Sequence, residues 1–111
     1  MENSAVKKIK NAVLGRRYDL SVAFVSVYEM RRAMRYKKSR TIKTSDVLSF
    51  PLSPTSGEIL LCKAVAKPYS VEFLFIHGLL HLKGLKHGAI MEGMENRLLK
   101  KYGFQRLATR V

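Results

Sequence analysis

Apolar residues recur along the chain in short groups whose spacing changes from one group to the next. Val6, Ile9 and Val13 follow helical spacing, with Ser4 placed to cap a first helix and Gly15 to stop it. Leu20 to Val25 is a short apolar and β-branched run, the pattern of a buried strand. In Ser26-Val-Tyr-Glu29 a serine stands three residues ahead of a glutamate, the reciprocal capping arrangement that opens a helix. This second helix carries Met30, Ala33 and Met34 on one face and Arg31, Arg32 and Arg35 on the other. Asp46 to Phe50 predicts a second strand, Pro51, Pro54 and Gly57 punctuate a loop, and Ile59 to Cys62 predicts a third strand. Helical spacing returns from about Tyr69 to Lys83, with Gly84 as its stop. It returns again from about Met91 to Tyr102, where Met91, Met94, Leu98 and Tyr102 are in register and Gly103 closes the helix. Interleaved helices and strands predict a sheet covered by helices.

With 111 residues and neither repeat nor long linker, residues 1–111 are expected to form a single domain. A hydrophobic content of 47% with 26% charged residues fits a folded chain rather than a disordered one. The charge changes the picture. Twenty-one Lys and Arg against eight Asp and Glu give +13, so the chain attracts polyanions, and nucleic acid or an anionic surface leads the expected partners. The competing reading is a solvated, lysine-rich surface. Cys62 is the one cysteine, which excludes an intramolecular disulfide and suits a reducing compartment. The first residues, Met-Glu-Asn-Ser, lack a charged-then-apolar leader pattern. The longest apolar run, Val71 to Leu82, is broken by Glu72, His77, Gly78 and His81, so no span of the ~20 apolar residues that a bilayer requires is present. A cytoplasmic protein without membrane contact is expected.

All three histidines fall within His77-Gly-Leu-Leu-His81-Leu-Lys-Gly84-Leu-Lys-His87. Residues four apart lie above one another on a helix, so His77 and His81 can aim at a single point. Gly84 can leave the helix through a conformation closed to most residues and bring His87 back as a third ligand. Each histidine alone would more often be structural; together they point to one zinc ion. Three neutral imidazoles leave zinc its full charge and an open position, where a water of pKa ~7 becomes a usable nucleophile. The spacing also resembles the long zinc-protease signature, but Gly78 stands where that signature has its glutamate base, which disfavours peptide hydrolysis.

Residues 77 to 87 resemble, at every position but one, the YbeY endoribonuclease signature, approximately His-Gly-x-Leu-His-Leu-x-Gly-x-Asp-His. Ser45-Asp-Val-Leu-Ser-Phe-Pro51 is similar to that family's Thr-Asp-Val-Leu-Ser-Phe-Pro segment, and Gly57-Glu-Ile-Leu-Leu-Cys62 to its Gly-Asp-Ile strand. Met91-Glu-Gly-Met-Glu95, Leu98-Leu99 and Gly103 resemble its closing helix, so the likeness runs from about Leu20 to Phe104. The resemblance implies an α+β fold, a small mixed sheet covered by helices, with a zincin-like, zinc-bearing helix. It implies a single-strand-specific, zinc-dependent endoribonuclease acting in ribosomal RNA maturation and ribosome quality control, with His77, His81 and His87 as the ligands of one zinc ion. Single-stranded RNA, especially ribosomal RNA, and the ribosome are the implied partners.

Three departures stand out. Lys86 replaces the family's aspartate beside the third histidine, putting a positive charge where an acid would orient a ligand. The family's functional arginine, counted forward from the second helix, falls on Lys38; counted back from the strand, it falls on Ser39, and Arg40 is the nearest arginine. The segment between His87 and Met91 is short, which predicts a trimmed wall. Arg40, Lys38 and Lys86 are therefore the candidates for stabilising charge on a phosphoryl group. Arg31, Arg32 and Arg35, with the loop from Lys37 to Arg40, form a candidate RNA track or a solvated face, and Tyr36 could stack a base or be structural. Cys62 and the methionines Met30, Met34, Met91 and Met94 are expected in the core, and Asp46 is either an acid near the metal or a strand-edge residue. The alternative reading is a catalytically silent, zinc-containing RNA-binding factor of ribosome assembly.

Overall fold

The computed structural model describes residues 3–39 and 41–108. Arg40 therefore lies outside the described residues. Among the described residues, four helices and three strands follow in the order α1 (Asn3–Leu14), β1 (Asp19–Phe24), α2 (Val27–Tyr36), β2 (Val47–Ser53), β3 (Ser56–Leu61), α3 (Val71–Lys83) and α4 (Ala89–Tyr102), with one short 3-10 turn at Lys63–Val65. β3 is central, pairing parallel with β1 and antiparallel with β2. The fold is thus α+β with a small mixed sheet.

Local chemistry accounts for most of the element ends. Ser26 and Glu29 cap α2 reciprocally, the Ser26 N–H donating to Glu29 Oε1 at 2.9 Å and the Glu29 N–H to Ser26 Oγ at 3.1 Å. Ser70 takes the cap of α3 by accepting from the Phe73 N–H at 3.0 Å, so this helix begins after Tyr69. Ser4 is no cap, because α1 is already helical at Asn3. The strands β2 and β3 run longer than their apolar runs suggest and turn tightly at Pro54 and Thr55. Pro51 stays inside β2 because this is an edge strand, where a missing N–H costs no ladder bond.

Alternation along β3 divides the interior in two. Ile59 and Leu61 face the main cluster with Ile9, Val13, Phe75, Ile76, Leu79 and Leu80, while Leu60 packs on the other face against Met30, Met34 and Cys62 beneath α2. α3 is apolar nearly all round because it lies between the sheet on one side and α1 and α4 on the other. Its fully buried Leu, Ile and Phe side chains contribute ~1.5–3 kcal/mol each, which makes α3 the firmest element on which to mount a site. No helix among the described residues is long and apolar enough to cross a membrane.

Candidate metal centre

α3 crosses the sheet at Gly78, whose carbonyl accepts from the buried Ser49 hydroxyl at 2.9 Å. A Cβ at residue 78 would come within 3.1 Å of both Ile59 Cγ2 and Ser49 Oγ, so the close approach of helix and sheet favours glycine. This side of α3 faces the sheet. The neighbouring positions carry His77 and His81, whose ring centroids lie 4.6 Å apart. Gly84 then ends the helix with φ +104°, and the reversed chain brings the His87 ring to 5.0 Å from His77 and 4.6 Å from His81. One ring nitrogen from each of the three histidines falls within 4.8 Å of the others, an arrangement that could hold a metal ion.

Two of the imidazoles are oriented from behind. His77 Nδ1 lies 2.6 Å from Oε2 of the buried Glu95, and His81 Nδ1 lies 3.0 Å from the Leu85 carbonyl. A carbonyl only accepts, so His81 Nδ1 carries the hydrogen; the Glu95 carboxylate imposes the same tautomer on His77. The two Nε2 atoms then lie 3.1 Å apart. Ligand atoms of a tetrahedral zinc, each ~2.0–2.1 Å from the ion, lie roughly 3.3–3.4 Å apart, so the donor set fits a cation in both chemistry and spacing. Burial, reinforced by the neighbouring His77, holds His81 below the ordinary imidazole value of 6.5 and keeps its lone pair free.

The histidines open into a cavity of about 540 Å³ shared with Lys37, Ser45 and Asp46. Burial raises the Asp46 carboxyl above its ordinary value of 3.8. Among the described residues, Lys37 is the lysine on this wall. Its Nζ donates to the Ser49 carbonyl and sits 5.0 Å from the centre of the Phe50 ring. Lys38 and Lys86 are exposed and do not line the cavity. Lys38, at φ 60°, forms the turn that ends α2, one residue beyond the lysine that reaches the site. α4 starts one residue after Gly88, and a second opening of about 270 Å³ lies behind His77 and His87.

The arginine face of α2 is not uniform. Arg31 is partly buried and donates to the Ile42 carbonyl at 2.6 Å and to Thr44 Oγ1 at 3.3 Å, so it ties down the loop rather than waiting for phosphate. Arg32 and Arg35 are exposed, as is Tyr36.

Sequence reasoning missed Glu95, and it set Lys37 in the candidate RNA track rather than beside the histidines. Glu95 had a readable signal: Met91, Glu95 and Leu99 follow one another at intervals of four and are all buried, while Met94, Leu98 and Tyr102 pack at the margin. An acid on the apolar stripe of a helix asks for a buried partner. Arg106, 3.6 Å from Glu95 Oε1, balances the carboxylate from the other side.

The family profile of Endoribonuclease YbeY matches residues 2–103. The chain belongs to the YbeY family. It is similar to Endoribonuclease YbeY of Rubrobacter xylanophilus, with 36% identity over 75% of this chain and 63% of that relative. The YbeY proteins of Legionella pneumophila (31% identity, 78% of this chain and 69% of the relative) and Staphylococcus carnosus (30%, 79% and 74%) are likewise similar. The chain thus spans about two-thirds of the length of these YbeY relatives. No solved structure matches it significantly.

Proposed function

We propose that this chain is a zinc-dependent endoribonuclease that hydrolyses phosphodiester bonds in single-stranded RNA, acting in the cytoplasm on ribosomal RNA during maturation and ribosome quality control. The observation that carries the reading is the convergence of His77 and His81, their Nε2 atoms 3.1 Å apart, with His87 in an open cavity that also holds Lys37. Family membership and the +13 charge support an RNA substrate.

His77, His81 and His87 would hold the ion, with Glu95 and the Leu85 carbonyl fixing two of the rings in their ligating tautomer. When bound, zinc supplies a Lewis acid and an activated water at neutral pH. Lys37 places a positive charge on the same wall, where it offsets charge developing on a phosphoryl group. That role passes to Lys37 in this reading from Lys38 and Lys86, which do not line the cavity; Arg40 lies outside the described residues and stays a candidate beside it. Gly78 offers no carboxylate to the site, so a peptidase mechanism lacks its base.

The test is cleavage of a labelled single-stranded RNA oligonucleotide by purified protein of known metal content. Chelator abolishes cleavage, zinc restores it, and His81→Ala is inactive under every condition. Metal-independent cleavage that persists in His81→Ala would sink the proposal. Zinc-loaded protein that binds the RNA tightly without turnover would establish the silent assembly factor in its place.

A further inference from the structure

The cavity holding the histidines has a neighbour on each side, and the two neighbours differ in charge. On one side, a groove of about 570 Å³ shares Ser45 and Asp46 with the histidine cavity and is lined further by Thr41, Lys43, Lys67 and Tyr69. On the other, the opening of about 270 Å³ shares His77 and His87 and contains Glu92, Glu95 and Arg106. Arg106 is already engaged there, 3.6 Å from Glu95 and 2.7 Å from the Asn96 side-chain oxygen. Past Asp46, a polyanion leaving the metal cavity therefore meets Lys43 and Lys67 in one direction and, in the other, Glu92 beside the mutually engaged Glu95 and Arg106.

We propose that the groove between Lys43, Lys67 and Tyr69 is a nucleotide subsite, holding the part of a single-stranded RNA that flanks the phosphodiester at the metal cavity; this rests on the endoribonuclease reading above. Its walls are built before RNA arrives. Arg31 pins the loop carrying Lys43 through Ile42 and Thr44. Tyr69 is fixed at its backbone by a bridge to Leu107, and its ring packs 5.2 Å from Phe73 while the residue stays 38% exposed. Ammonium and hydroxyl groups are the usual partners of the sugar-phosphate backbone. A held aromatic ring is a platform for an unpaired base of any identity, which favours single strands over duplexes. Asp46, on the saddle between the cavities, repels phosphate and keeps consecutive phosphates to either side of itself, near Lys37 and near the groove lysines.

The experiment is fluorescence anisotropy of a labelled single-stranded oligoribonucleotide with the metal-free full chain, titrated at several salt concentrations. The Lys43→Ala/Lys67→Ala double variant should bind more weakly, and its log K against log salt slope should fall by about 1.4, since each phosphate contact on a single strand contributes ~0.7. Tyr69→Ala should weaken binding without changing that slope. The control is Lys7→Ala/Lys8→Ala, which removes the same charge from the exposed face of α1, away from these cavities. Equal losses in the two double variants would reduce the groove to net charge and overturn the proposal, as would an unchanged slope in the groove variant. Zinc-loaded wild type that fails to cleave, while its binding still depends on Lys43 and Lys67, would refute the nuclease reading and leave the subsite standing.

Discussion

The two halves of the candidate metal centre are built differently. His77 and His81 stand on α3, the most deeply packed helix, and each has its rear nitrogen hydrogen-bonded. His87 and Lys37 come from exposed positions at the ends of helices, where the backbone has just reversed or is about to. The buried half fixes where a cation can sit; the exposed half decides what reaches it. A small domain can thus combine a rigidly held histidine pair with an accessible rim without spending core residues on both.

Several measurements would break or sharpen that contrast. The largest effect is expected at the pair itself: His81→Ala should lose metal binding in a chelator competition, whereas His87→Ala should retain weak binding through His77 and His81. Equal loss in the two variants would erase the distinction. Lys37→Ala should cut kcat by about 10²-fold with metal content unchanged, the scale of removing one charge-stabilising donor. The same substitution at Lys38 should have little effect, as should one at Lys86. Glu95→Ala should weaken metal affinity by about 10–100-fold, the usual scale for a group that orients a ligating histidine; Glu95→Gln, which keeps an acceptor, should fall between.

The pH response follows from His81. Its depressed value means that the metal-free fold takes up a proton there less readily than the unfolded chain does. The associated stability is present above 6.5, the ordinary value, and is lost as pH falls through the lowered one. Melting temperature of metal-free protein should therefore drop from pH 7.5 to 5.5, and His81→Asn should flatten the drop. Asp46, shifted upward, works in the opposite sense at more acid pH. The smallest effect is expected at Gly78→Ala. Overpacking costs ~1–3 kcal/mol, helix propensity returns ~1 kcal/mol, and the net loss should be about 1 kcal/mol by denaturant titration.

Much of this contrast was legible along the chain and some of it was not. Helical period and the capping pair Ser26 and Glu29 foretell α2, and the spacing of His77, His81 and Gly84 foretells both the paired histidines and the turn that brings His87 beside them. Those signals are local, written within a turn or two of helix. Glu95 lies eighteen positions beyond His77, and only the packing of α4 on α3 joins them. Lys37 was passed over for a similar reason. Counting residues along a loop locates a position on the chain but not a direction in space, and the turn at Lys38 leaves its predecessor facing the cavity. The strand lengths of β2 and β3 escaped because Pro51 reads as loop unless β2 is known to be an edge, and Gly57 of the central β3 reads as loop on its own.

The tight crossing of α3 over the sheet also bears on engineering. Converting this centre to peptide hydrolysis would naturally begin with Gly78→Glu, which restores the protease spacing in a single step. The new side chain would instead be driven between Ile59 and Ser49, so retargeting would have to import its carboxylate from the rim of the cavity rather than from the helix that bears the ligands.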